Sequence, residues 1–129
     1  MNLQNSVRRH GCLCLLLASL AALAQAAEPP AYVTGGVGES GRAELTAIQE
    51  QFSLKLVFAA HSGAFLGAVN VDIVDSAGQS LLSAVSDGPW MLVNLPPGRY
   101  RISATYRDAT QTEEVEVPAS GLRQVDLRW

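Results

Sequence analysis

Three groups of residues have the types and spacing that chemistry needs. Gly36-Val37-Gly38-Glu39-Ser40-Gly41 matches G-x-G-x-x-G ahead of a helical pattern. In that arrangement glycines let a pyrophosphate approach a helix N-terminus. The context opposes a dinucleotide. The next strand-like run ends Phe58-Ala59-Ala60-His61, with no acidic residue for a ribose, and the remainder of the chain reads as antiparallel rather than βαβ. A phosphate-binding Walker loop fails too, because Arg42-Ala43 stands where Lys and Ser or Thr are required. The glycines therefore predict a turn or linker needing positive φ. Tyr32, Gly35, Gly36 and Gly38 form a candidate binding loop, able to close over a ligand or a partner's backbone.

The second group is His61, in His61-Ser62-Gly63-Ala64 between two strand-like runs. It has no Cys, Ser or acid beside it in a nucleophile-and-base arrangement, and a surface turn is the expectation. The third is Arg99, Arg101 and Arg107 on one face of a strand, which alone would suit an anion. A hairpin centred on Asp108-Ala109 sets Arg101 opposite Glu116 and Ser103 opposite Glu114. Such cross-strand pairs contribute about 0.2–1 kcal/mol, so a solvated charge ladder is expected. Strand alternation splits Glu113 and Glu114 between faces, which argues against calcium. Trp90 and Trp129 are expected in core or sandwich-end packing. No catalytic residue, cofactor site or metal-ligand set is assigned.

The elements that position these residues emerge from the order of the chain. Residues 1–26 have the layout of a secretory signal peptide. Arg8 and Arg9 precede an apolar stretch from Cys12 to Ala24, and Ala24-Gln25-Ala26 is a small-x-small cleavage site. The stretch is too short for an ordinary transmembrane span, and the expected location is periplasmic or secreted, with its alanine-rich character pointing to a bacterial periplasm. Both cysteines, Cys12 and Cys14, lie within it, so the mature chain would hold no disulfide. Cleavage would also take the formal charge from -3 to -5, with seven basic side chains against twelve acidic ones. Nucleic acid and anionic lipid are thereby disfavoured as partners. With 48% hydrophobic and 16% charged residues, the chain is expected to fold rather than stay disordered.

Residues 27–52 read as a Gly/Pro-rich irregular arm and one helix. Leu45, Ile48 and Phe52 share a helical face, with Ser40 as the expected N-cap. Residues 53–129 change to a period of two. Seven short runs follow, Leu54 to Phe58, Val69 to Ile73, Leu81 to Val85, Trp90 to Val93, Tyr100 to Tyr106, Glu114 to Val117 and Val125 to Trp129, separated by Gly-, Pro- and Asp-containing turns. Pro97 and Gly98 suit a type II turn, with Gly98 supplying the positive φ.

The segment from Gly67 to Trp129 resembles the carboxypeptidase regulatory-like domain. The resemblance rests on Gly67-Ala68-Val69-Asn70-Val71, on Asp75 with Gly78, and on Ser86-Asp87-Gly88-Pro89-Trp90. Above all it rests on Leu95-Pro96-Pro97-Gly98-Arg99-Tyr100, where such domains place a Leu-Pro-x-Gly-x-Tyr turn. The resemblance makes Pro97, Gly98 and Tyr100 a structural turn. It implies an all-β fold: a seven-stranded antiparallel β-sandwich with Greek-key, transthyretin-like topology, preceded by the signal peptide and the short α-helix. It further implies an accessory or binding module, and the expected function is an exported, non-enzymatic domain acting on a protein or envelope ligand. One alternative is a transthyretin-like hydrolase using His61 with nearby arginines, although relatives with that activity end in Tyr-Arg-Gly-Ser and this chain ends Asp126-Leu127-Arg128-Trp129. Another is a structural module assembling through sheet edges.

Overall fold

The computed structural model describes residues 29–129; the expected signal peptide lies outside them. Among the described residues, eight strands form two four-stranded sheets. They are β1 (Tyr32–Gly35), β2 (Leu54–Ala59), β3 (Val69–Asp75), β4 (Ser80–Ser86), β5 (Trp90–Val93), β6 (Gly98–Tyr106), β7 (Ala109–Val117) and β8 (Arg123–Arg128). The first sheet has the order β1-β5-β2-β8 and the second β4-β3-β6-β7. The described residues are thus mostly β, with one short α-helix among them, α1 (Gly38–Ile48). No helix among the described residues is long and apolar enough to cross a membrane.

Period-two alternation builds the core directly. Leu54, Leu56 and Phe58 of β2, with Met91 and Val93 of β5, turn inward from the first sheet. Val69, Val71 and Ile73 of β3 meet them, with Ile102 and Ala104 of β6, from the second. Each of these is fully or almost fully buried, and truncating a side chain such as Phe58 to Ala in a core of this kind costs about 3–5 kcal/mol.

Several expectations are corrected. Tyr32–Gly35, read as part of an irregular arm, forms an eighth strand, because β5 offers it a ladder from Tyr32↔Val93 to Gly35↔Trp90. The pairing is not wholly antiparallel, since β2 and β8 run parallel from Leu54↔Arg123 to Ala59↔Arg128. The helix starts earlier than expected: Val37 occupies the N-cap position without a side-chain bond, and Ser40 lies inside the helix. Only Gly36, with φ +85, and Val37 separate β1 from the helix. At the other end α1 gives way to a 3-10 turn over Gln49–Gln51, which puts Phe52 outside the helix in extended backbone.

The β6–β7 hairpin turns on Arg107 and Asp108, one residue earlier than the expected centre, pairing Tyr106 with Ala109. Arg107 takes φ +54 to make this two-residue turn. Arg101 therefore faces Glu114, Arg99 faces Glu116, and Ser103 faces Thr112. Arg107 sits in the turn itself, beyond the face that Arg99 and Arg101 share.

Candidate functional site

Three loops meet at the end of the first sheet where β1 stops and β5 begins. They are held together by backbone contact, and the glycines explain how. A Cβ on Gly88 would collide with the carbonyl oxygen of Gly35. One on Gly67 would lie 2.7 Å from the carbonyl oxygen of Asp87, and one on Gly36 would lie 2.8 Å from Cγ of Trp90. Gly36 also needs its φ of +85. Gly41, the last glycine of the G-x-G-x-x-G pattern, rests against the Gly36 backbone. Gly36 and Gly41 of the pattern thus serve close packing on an indole and of chain on chain, whereas a Cβ on Gly38 would meet nothing within 4 Å.

At the mouth of these loops is a cavity of about 170 Å³, lined by Gly36, Val37, Gly38, Arg42, Phe65 and Asp87 among others. Arg42, from the first turns of α1, places its guanidinium carbon 5.3 Å from the Phe65 ring centroid. Its Nη1 donates a long bond of 3.5 Å to the Gly36 carbonyl. Phe65 is 51% exposed and Val37 69% exposed. A cation, an open aromatic face and an apolar edge are thereby presented on a stiff backbone floor. Aromatic residues and arginine are the types enriched where proteins bind partners.

The sequence-predicted loop is only partly brought to this mouth. Gly36 and Gly38 line it, and Gly35 lies just beneath, against Leu45 of α1. Tyr32 is at the far end of β1, opposite Val93, and does not line it. Arg42 reads in the sequence as one more residue of a polar helix face, and Phe65 lies in an unpatterned stretch. The one signal for them was the density of glycines at 35–41, 67 and 88.

The structural turn of Pro97, Gly98 and Tyr100 sits at the opposite end. The Tyr100 hydroxyl donates to the Pro96 carbonyl at 2.6 Å, tying the start of β6 to the loop before it. Burial, and secondarily the charge of Asp75, pushes the Tyr100 phenol above its ordinary value. Gly98 has φ +154 and pairs with Val117, so it opens β6 in an extended glycine conformation rather than the tighter one of a type II turn. Pro97 lines an open cavity of about 520 Å³ with Pro96, Pro118 and Phe52.

A further open cavity, about 590 Å³, is walled by Asp75, Arg99, Arg101, Glu114, Glu116 and Arg123 in part. Its charges balance. The Arg101–Glu114 ion pair at 3.1 Å has both side chains mostly exposed, which fits a surface ladder contributing less than about 1 kcal/mol. His61 is exposed in the turn after β2, where its backbone N–H donates to the Trp129 carbonyl at 2.7 Å. It lines none of these three cavities. Trp129 packs against Phe58 and Tyr106 and donates its indole N–H to the Ala109 carbonyl at 2.9 Å.

Trp90 lies on the outer face of the first sheet, between Gly36 and Lys55. The Lys55 ammonium sits 3.5 Å from the indole centroid and donates to Gln49 Oε1 at 3.3 Å. Lys55 is only 7% exposed, and burial pushes its pKa below the ordinary lysine value, partly offset by the negative charge of Asp126. The native state therefore binds fewer protons than the unfolded state between that lowered pKa and the ordinary one of 10.5. Stability contributed by Lys55 rises with pH across that window. Tyr100 acts oppositely above its ordinary 10.0, because the unfolded phenol loses its proton first. Urea unfolding from neutral to alkaline pH should show wild type gaining on Lys55→Met as pH approaches 10.5, with the Tyr100 effect common to both. Parallel profiles would refute the assignment.

Searches against known families and curated proteins give no match to this chain.

Proposed function

We propose that this chain is an exported, non-enzymatic β-sandwich binding module whose ligand, a protein or another envelope component, docks at the glycine-packed mouth. The observation carrying this reading is Arg42 of α1 over the exposed Phe65 ring, beside the exposed Val37, at the mouth of three loops packed closely at Gly36, Gly67 and Gly88. Presenting contact residues from a stiff scaffold limits the ordering cost of binding. Relationship to the carboxypeptidase regulatory-like domain belongs to the same proposal. It is supported by the strands β2–β8, seven once β1 is set aside, and by the Tyr100–Pro96 bond within Leu95-Pro96-Pro97-Gly98-Arg99-Tyr100. Export is supported by the layout of residues 1–26.

The test is capture from an envelope extract by immobilised wild type, Arg42→Ala and Phe65→Ala at equal loading. A hot-spot truncation removes about 2 kcal/mol or more of binding, so the variants should retain less than a tenth of the wild-type partner. Equal retention by all three proteins would reject the mouth as the site. N-terminal sequencing of the protein recovered from the periplasm should begin at Ala27; recovery only from the cytoplasm would reject export.

A further inference from the structure

We propose that the open edge of β4 is a self-association surface, through which two copies of the chain pair antiparallel about a two-fold axis at Ser83. This is independent of the binding mouth. The sandwich has four sheet edges, and an unguarded edge invites a further strand. Three of the edges are blunted. β1 is only four residues long, β7 carries Glu113, Glu114 and Glu116, and β8 carries Arg123, Asp126 and Arg128. The fourth edge, β4, reads Ser80-Leu81-Leu82-Ser83-Ala84-Val85-Ser86, with no charge and no proline. Its pairing to β3 shifts register between Ile73 and Val74, which is the guard this edge does have. That irregularity is confined to the Ser80 end and leaves Leu82 to Ser86 in unbroken register.

The order of residues in β4 identifies the partner. By chemical class the strand is a palindrome: serine, two apolar residues, serine, two apolar residues, serine. An isologous antiparallel pair requires the same sequence to match itself in reverse. With the axis at Ser83, Ser80 meets the partner's Ser86, Leu81 meets the partner's Val85, and Leu82 meets the partner's Ala84. Every pair joins like with like, and no two like charges meet. Val85, 52% exposed in the single chain, gains an apolar neighbour. Asp72, opposite Ser83 on β3, lies one strand in from the edge. The two second sheets would merge into one of eight strands. One strand pair buries less surface than a standard interface, so the dimer is weak, with dissociation in the micromolar-to-millimolar range.

Sedimentation of the chain recovered after full-length expression tests this. The weight-average mass should climb towards that of a dimer between about 10 μM and about 1 mM, the range for a small interface. Ser83→Lys sets two cations face to face at the axis, and it should stay monomeric while keeping the wild-type circular dichroism. A second measurement does not depend on that variant folding. In a chain carrying Cys12→Ser and Cys14→Ser, the further change Ser83→Cys should form a disulfide-linked dimer under mild oxidation. It should do so at least about tenfold faster than Ser120→Cys in an exposed loop, because paired Cβ atoms on facing strands lie close to disulfide range. Monomeric mass throughout, association unchanged by Ser83→Lys, or cross-linking of Ser83→Cys no faster than Ser120→Cys would each overturn the proposal.

Discussion

Gly88→Ala is expected to destabilise the chain by about 3 kcal/mol, the upper part of the range for forcing one extra carbon into a packed interior. Gly88 is buried, and its missing side chain is the space occupied by the Gly35 carbonyl oxygen. That neighbour is backbone, so no rotamer change can relieve the clash. It is also the last residue of β1, paired with Trp90. Moving it would loosen β1 from β5 and Gly36 from the indole together. The check is urea unfolding followed by tryptophan fluorescence. A wild-type midpoint for Gly88→Ala would mean that the loops do not approach as closely as the structure shows.

Gly98→Val is expected to cost about 1–3 kcal/mol, the range for holding a residue with a side chain in backbone geometry that glycine alone tolerates. The space around Gly98 is not the problem, since a Cβ would lie an ordinary 3.7 Å from the Tyr100 hydroxyl. The cost arises from φ +154 at the first residue of β6. Relaxing it would pull on the Tyr100–Pro96 bond and on the register that turns Tyr100, Ile102 and Ala104 inward. His61→Ala, an exposed turn substitution, should stay within about 0.5 kcal/mol of wild type. Equal unfolding midpoints for the two variants in urea would remove Gly98 as a conformational requirement.

The β-rich character of the chain and most strands of the core were legible in the amino acids. A two-residue period is a local property: Leu54, Leu56 and Phe58, or Val69, Val71 and Ile73, turn to one face wherever the strand is placed. The three-residue apolar spacing of α1 is equally local, although where the helix starts is not. The hairpin at Arg107-Asp108 shows the limit. Moving its centre by one residue leaves every side chain on the same face, so hydrophobicity alone could not separate Arg101 facing Glu116 from Arg101 facing Glu114.

What tertiary structure decided are contacts between segments far apart in the chain. β1 is four residues with no strong pattern, and it becomes a strand because β5 is there to pair with it. The parallel β2–β8 pair brings together Leu54–Ala59 and Arg123–Arg128, segments far apart in the chain, which no short-range turn signal encodes. The glycines at 36, 67 and 88 were visible as glycines. Their common purpose, letting three loops meet backbone to backbone and bring Arg42 over Phe65, depends on distances between those loops. Side-chain period is fixed by the geometry of one strand or helix, whereas loop-to-loop approach is fixed by how both sheets stack. The sequence therefore determined which residues point inward, and the packing of the sheets determined which loops could form a site.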